Sequence, residues 1–332
     1  MTNNFLAKWN RKKFKKESVE SYMTNWLETV KKPSLKRRSY DRIEQSLQYQ
    51  VFPEIGDIPL KKLTTNDIQR MLNKISEERS YSTAKKAYDN INACLNLAVI
   101  KGELISNPVL GAVLPKNKAR SDVSSYTEEQ VRLIANEAVS LYKNGNVKYR
   151  YGYALILILN TGMRVGEALY LRWKDVNLEK RHIYVHGNVS VVKTHDKDGK
   201  SYELIEQDSP KTDKSNRYIS LNDNAVNALI NLRKIIGDSS RVIATSNGTI
   251  TSPHKIYDTM KRILEHCEIY GAVDIVHALR HTFATMLIRQ GEDIKVVSEL
   301  LGHSDVSTTI RIYYHTIEEQ KHSAVQKLNN FY

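Results

Sequence analysis

Only two cysteines occur in the chain, Cys94 and Cys267, and neither belongs to a CxxC pair. That spacing argues against a zinc ribbon or a dithiol redox motif, and both residues are expected to be reduced, buried thiols. Long apolar runs are missing too, so no segment can cross a bilayer as a helix. The opening MTNNFLAKWNRKKFKK lacks the apolar stretch of a secretory signal, which leaves no membrane partner and a cytoplasmic location as the expectation. Internal repeats and low-complexity tracts are absent. Acidic residues are in deficit: 37 Asp and Glu stand against 50 Lys and Arg, for a net charge of +13. A surface of that sign favours a polyanionic partner, of which nucleic acid is the commonest. The 332 residues suffice for two domains, each with its own core.

The first part of the chain reads as helical. Val19, Tyr22, Trp26, Leu27 and Val30 recur at three- and four-residue steps, and Lys31, Lys32 and Pro33 end that helix. A second helix is expected from Ser34 to just before Pro53, with Tyr40, Ile43 and Leu47 inward and Lys36, Arg37, Arg38 and Arg42 outward. Thr65 or Asn66 caps a third helix containing Ile68, Met71, Leu72 and Ile75. Ser82 or Thr83 starts a fourth, which carries Lys85 and Lys86 and ends at Asn107-Pro108. The stretch NPVLGAVLPKNKARSDVSS, 107–125, has the Pro, Gly, Ser and basic composition of a linker.

Thr127 followed by Gln130 forms a capping box that opens a second domain. RHIYVHGNVSVVKT has the β-branched content and Gly-Asn break of a strand pair. A polar insert, THDKDGKSYELIEQDS, separates it from a further strand at RYISL, giving a small sheet edged by helices. From Ser252 onward the periodicity is helical again, with Gly291, Gly302 and Ser304-Asp305 at the turns.

Candidate chemistry gathers around HALRHTFATMLIRQ. His277 and His281 have the four-residue spacing of helical zinc sites, but Ala278 stands where the metalloprotease pattern needs Glu. No carboxylate cluster lies nearby to hold magnesium, so no metal and no cofactor is expected. Phosphate chemistry fits better, because His277 and Arg280 sit about one turn apart and can face one anion. Taken alone, the pair reads better as a helix-start cap at His277 and a solvated charge at Arg280. In NTGMRVGEALYLRW, a Thr-Gly turn is followed by Arg164, and Glu167 three residues on can hold its guanidinium. In SPKTDKSNRYISL, Lys211 sits in a polar turn; in VSELLGHSDVSTTIRIYYHT, Gly302 presents His303 and the next helix delivers Tyr313, Tyr314 and His315. Each of these residues, taken singly, has an ordinary structural explanation.

Together, in this order, Arg164, Lys211, His277 with Arg280 in HxxR, His303 in LLGH and Tyr313 in YxH resemble the tyrosine recombinase (phage integrase) family, as found in phages and integrative conjugative elements. The likeness runs from about Tyr126 to the C-terminus, and SYMTNWLE and PEIGDIPLKKLTTNDIQ resemble the family's core-binding domain. The resemblance implies a mainly α fold with a small antiparallel β-sheet in the second domain, arranged as a two-domain, C-shaped DNA clamp. Its parts would be a basic tail at 1–17, a helical, SAM-like DNA-binding domain at 18–108, a linker at 109–125, a catalytic domain at 126–316 and a C-terminal helix at 317–332 that docks on a neighbouring subunit.

By the same resemblance, Arg164 and Arg280 clamp the scissile phosphate, His277 and His303 bind its oxygens or shuttle protons, Lys211 protonates the leaving 5′-oxygen and Tyr313 is the nucleophile. Implied partners are double-stranded DNA carrying recombination sites, further copies of the chain in a tetramer, and accessory DNA-bending or excision factors; bound to DNA, the protein would sit in a bacterial nucleoid. Lys36, Arg37, Arg38, Arg42, Lys85 and Lys86 are the expected DNA-contacting residues of the first domain. The short segment before the first helix implies either a simpler recombinase or a chain trimmed of an arm-binding domain. A type IB topoisomerase shares the tyrosine chemistry but acts as a monomer, and a non-catalytic DNA-binding regulator could keep the fold. The C-terminal helix argues against the first and the full catalytic set against the second.

Overall fold

The computed structural model describes residues 17–116, 125–194, 202–208, 216–272 and 274–314, together with 316, 318 and 325. The chain divides into two units, Met1–Arg120 and Ser121–Tyr332. Lys211, His315 and all but three residues of the tail from Thr316 onward, with the basic segment before Glu17, lie outside the described residues.

The first unit is a helical bundle. Helix α1, Val19–Trp26, is capped by the Ser18 hydroxyl and runs into a π turn at Leu27–Lys31. Helix α2, Arg37–Ser46, continues through a π turn at Leu47–Val51 into α3, Phe52–Ile55. Helices α4, Thr65–Glu78, and α5, Tyr81–Ile100, complete the bundle around Val19, Met23, Leu47, Ile68, Leu72, Ile91 and Leu95.

Four local expectations need correction. Val30 is 38% exposed, because the wider π turn shifts its side chain off the apolar face. The second helix passes Pro53, since the π turn resets the hydrogen-bond ladder and Pro53 falls in the first turn of α3, where its missing N–H leaves no gap. The caps of α4 and α5 are Thr64, in a capping box with Asp67, and Ser80. Helix α5 stops at Ile100, well before Pro108. Beyond it, Asn107 donates to the Asn92 and Asn96 side chains at 2.8 and 2.7 Å, and this brings Val109 into the core.

The second unit is built around one helix. α6, Glu128–Ala138, begins with the Thr127–Gln130 capping box. Next, α7, Gly152–Thr161, is apolar on every side, which requires a fully enclosed helix. It packs against α6, α9 (Asp223–Ile236), α10 (Pro253–His266) and α11 (His277–Arg289). Short α8, Val165–Tyr170, follows it directly, while α12, Ile294–Leu301, packs on α11, and α13, Val306–Ile312, packs on α12. Cys94 is buried in the first unit and Cys267 partly buried in the second; both are free thiols.

Between α8 and α9 the chain forms two antiparallel sheets. Strands β1 (Val176–Asn177), β2 (His182–Val185) and β5 (Arg217–Ser220) are ordered β1-β2-β5, with Tyr184 opposite Tyr218. Strands β3 (Asn188–Lys193) and β4 (Tyr202–Gln207) make the other. The expected strand pair across Gly187-Asn188 is therefore not a hairpin: β2 and β3 belong to different sheets. Gly187 passes so close to Tyr170 that a Cβ would lie 2.3 Å from its ring. Strand β4 lies within the stretch read as a polar insert, because both its faces carry exposed or half-exposed side chains and no apolar alternation marks it.

Among the described residues no helix is long and apolar enough to cross a membrane. Leu155, in the middle of α7, is fully buried. Leu155→Ala is expected to lower the stability of the second unit by about 2–5 kcal/mol through the cavity it leaves, measured as a shift in the urea unfolding midpoint; an unchanged midpoint would contradict the central place given to α7.

Candidate active site

The site begins where α7 ends. Gly162 takes the left-handed conformation, φ 63°, and a Cβ there would lie 2.5 Å from the Phe283 ring. Two residues later Arg164 starts α8, and Glu167 folds back on it, accepting from the Arg164 backbone N–H at 3.0 Å and from Nη1 at 2.7 Å. Arg217 enters from β5 and donates through Nη2 to Glu167 Oε2 at 2.9 Å and through Nε to the Leu300 carbonyl at 2.8 Å. Glu167 is only 7% exposed. Burial pushes its carboxyl pKa up, but Arg217, with Arg164 and Arg280 behind it, outweighs burial and holds the pKa at about 2.

Helix α11 supplies the next side chains. Arg280 is 2% exposed and donates through Nη1 to the Gly162 carbonyl and through Nη2 to the Leu301 carbonyl, both at 2.6 Å. Burial, then the neighbouring Arg164, brings its pKa down to about 9, so it stays charged at pH 7. His277 is the first residue of α11, its backbone N–H held by Asp274 at 3.1 Å. Burial and then Arg280 depress the His277 imidazole pKa.

Gly302, φ 65°, ends α12, and a Cβ there would come within 2.8 Å of Arg217 Nη1. His303 follows, with Nδ1 2.8 Å from the Thr309 hydroxyl. Burial, followed by Arg280, Arg164 and Arg217, pulls its pKa down to about 4. Tyr313 closes the group just after α13, with its ring in an apolar cluster of Ala284, Ile288, Val297 and Leu301. Its hydroxyl lies 2.9 Å from His281 Nδ1, and burial raises the phenol pKa well above its ordinary value despite Arg280. Tyr314 is 51% exposed.

Arg164, His277, Arg280, His303 and Tyr313 are thus neighbours drawn from four separate segments, with three guanidiniums around one carboxylate. The net positive charge suits a phosphodiester. Lys211 lies outside the described residues. Two participants escape the sequence reading. Arg217 could have been found from its inward place in RYISL, where a charge needs a buried partner; His281, noted there only for its spacing from His277, contacts the Tyr313 hydroxyl. A cavity of about 310 Å³ opens beside Arg164 and His277, lined also by His254, Tyr257 and Asp274. A larger one, about 470 Å³, is bordered by α6, α7, α9 and α11 and holds none of these candidate side chains.

Among the described residues no cluster of His, Cys, Asp or Glu could hold a metal ion. In the first unit, Lys36, Arg37, Arg38 and Arg42 sit at or just after the start of α2, with Lys36, Arg38 and Arg42 exposed. Burial and then Arg42 lower the Arg38 pKa. Lys85 and Lys86 are exposed on α5, where Lys85 pairs with Asp89 at 3.1 Å.

Residues 126–320 match the profile of the Phage integrase family, and residues 19–111 that of the Phage integrase central domain. The chain is 29% identical to a protein named tyrosine recombinase XerC-like from Caldanaerobacter subterraneus subsp. tengcongensis, over 96% of this chain and 84% of that protein. Its fold is similar to that of the Tn1549 transposon integrase solved with a circular intermediate DNA, with a TM-score of 0.75, 19% identity, and 94% of this chain and 99% of that one covered. It is also similar to lambda integrase, solved as a tetramer bound to a Holliday junction: TM-score 0.66, 20% identity, 92% and 82% covered.

The Glu167 carboxyl pKa is depressed from 4.5 to about 2. Its contribution to stability is therefore present above about pH 4.5 and is lost as pH falls toward 2. Glu167→Gln, which removes the carboxylate that pairs with the buried Arg217, is expected to cost about 3–5 kcal/mol at pH 7, and the gap from the parent should narrow below pH 4.5. Urea unfolding at pH 7 and pH 3 checks this; an equal gap at both would contradict it.

Proposed function

The chain belongs to the phage integrase family of tyrosine recombinases, and from that membership we propose that it cuts and rejoins DNA at the recombination sites of a mobile element, with Tyr313 as nucleophile. It is a tyrosine-type site-specific recombinase. The observation that supports the assignment of residues is that Arg164, Arg280, His277 and His303 lie close enough to act on one another electrostatically, beside a buried tyrosine hydroxyl. Relatives named as recombinases and integrases favour this reading over a topoisomerase or a non-catalytic regulator.

In the proposed reaction the Tyr313 oxygen attacks the scissile phosphorus, its proton is lost, and the 5′-oxygen leaves. The product is a 3′-phosphotyrosine and a free 5′-hydroxyl. Because the phosphodiester's energy is kept in the phosphotyrosine, the 5′-hydroxyl of another strand can reverse the step without ATP. A free phenol is only about one part in a thousand ionised at pH 7. Attack therefore depends on stabilising the charge that builds on the phosphate. Arg164 and Arg280 supply fixed positive charge there, and in Arg280 two of the guanidinium's N–H groups are already anchored to carbonyls. His277 and His303 donate to non-bridging oxygens, and Lys211 gives the leaving oxygen its proton.

The partner is double-stranded DNA, and oligomerisation is part of the function: a tetramer exchanges strands pairwise, with accessory bending or excision factors setting direction. The α2 and α5 cations contact the duplex backbone, and the tail 317–332 docks on a neighbouring copy. Truncation after Thr316 should weaken multimer assembly on DNA in a gel-shift assay; unaltered assembly would count against the docking.

The direct test is a nicked suicide duplex carrying the ends of the DNA element that encodes the chain, incubated in EDTA. A covalent protein–DNA adduct is expected, absent in Tyr313→Phe and formed roughly a hundredfold or more slowly in Arg280→Ala. An adduct that persists in Tyr313→Phe but is lost in Tyr314→Phe would move the nucleophile by one residue.

A further inference from the structure

His281 has no part in the phosphate clamp as described, yet it is a half-buried titratable group beside two of the site's residues, His277 and Tyr313. It stands next to Arg280 on α11, and its ring meets that of His277 edge to face with centroids 4.5 Å apart. Its Nδ1 lies 2.9 Å from the Tyr313 hydroxyl, the one hydrogen-bond partner of that hydroxyl among the described residues.

The direction of this bond follows from what each group could otherwise do. If Nδ1 carried the proton and donated, the phenol O–H would be left buried without an acceptor, at the cost of an unmade hydrogen bond. The O–H therefore donates, Nδ1 accepts, and the imidazole proton sits on Nε2. We propose that His281 is a positioning residue for the nucleophile: its Nδ1 takes the Tyr313 O–H as a hydrogen bond and so fixes the phenol oxygen beside Arg280 and His277.

Two features support this. Burial, with His277, Arg280 and His303, brings the His281 pKa to about 3, so the imidazole keeps its acceptor lone pair across the working pH range. The same helix also anchors Arg280 to the Gly162 and Leu301 carbonyls, so one rigid element sets both the phosphate clamp and the position of the attacking oxygen. The rest of the tyrosine is held by shape alone, its ring packed among Ala284, Ile288, Val297 and Leu301. An apolar cluster tolerates rotation and small shifts; a hydrogen bond at the far end removes that freedom.

The proposal rests on Tyr313 being the nucleophile, and the experiment separates the two claims. Single-turnover adduct formation on the suicide duplex, at saturating protein, is measured for His281→Leu and His281→Asn, with DNA affinity followed by gel shift. Asn presents an amide oxygen near the place of Nδ1; Leu does not. His281→Leu is expected to slow adduct formation roughly ten- to hundredfold with affinity unchanged, and His281→Asn to recover most of the rate.

A wild-type rate in His281→Leu, or equal losses in both variants, overturns the positioning role. An adduct mapped to a residue other than Tyr313 overturns the reading beneath it instead. Should either variant misfold, ¹⁵N NMR of the histidine side chains in the DNA-free parent and in Tyr313→Phe decides. A shift of the His281 Nδ1 resonance toward that of an unbonded acceptor supports the proposal, and an unmoved resonance refutes it.

Discussion

Everything at the site depends on one buried carboxylate. Isolating Glu167 from water would cost several kcal/mol if it stood alone. It is tolerable because Arg217 and Arg164 donate to it from two sides. The dependence also runs the other way. Arg217 is 8% exposed and reaches Glu167 from a strand, so removing the carboxylate would take a paired charge from a buried guanidinium. The pair therefore locks β5 to α8, and Glu167 also holds the Arg164 guanidinium in place. Three guanidiniums around one carboxylate leave an excess of positive charge.

Arg280 is held by a different device. Gly162 and Leu301, whose carbonyls accept from it, lie at the C-terminal ends of α7 and α12. Both helices end in a left-handed glycine, which turns the chain away and leaves the last carbonyls aimed at the guanidinium. The partial negative charge of two helix ends thus meets a buried cation. Burial first, and then the field that remains after these pairings, lowers the pKa values of His277, His281 and His303, while burial raises that of Tyr313. On the proposed mechanism, a phosphodiester brings the missing negative charge beside His277 and His303 and shifts those two back toward protonation, while His281, turned to the Tyr313 hydroxyl, stays neutral. In this account substrate binding itself readies the histidine donors.

How much of this was legible in the sequence varied with the physical signal. Helices with one apolar face, such as α4 through Ile68, Met71, Leu72 and Ile75, announce themselves by spacing. So did the Gly162 and Gly302 turns and the partnership of Arg164 with Glu167. The π turns at Leu27–Lys31 and Leu47–Val51 did not, since nothing in residue type marks a register shift, and Val30 and Pro53 were misjudged for that reason. Strand β4 carries too little apolar alternation to be seen. Arg217 was overlooked because a basic residue at the head of a strand usually lies on the surface; its role depends on a carboxylate fifty residues earlier, a contact made only by tertiary structure. The contact of His281 with Tyr313 is hidden in the sequence for a similar reason, since thirty-two residues separate the two and only tertiary packing brings them together.

The central claim is that the folded chain holds a preassembled pocket with an excess of positive charge. The most direct measurement is the titration of His303 in the DNA-free protein, followed by NMR of its imidazole. A midpoint near pH 4 in the parent, rising when Arg164 is replaced by Ala, is the result this account predicts; a midpoint near the ordinary value of about 6.5, or one that Arg164→Ala leaves unmoved, would contradict it.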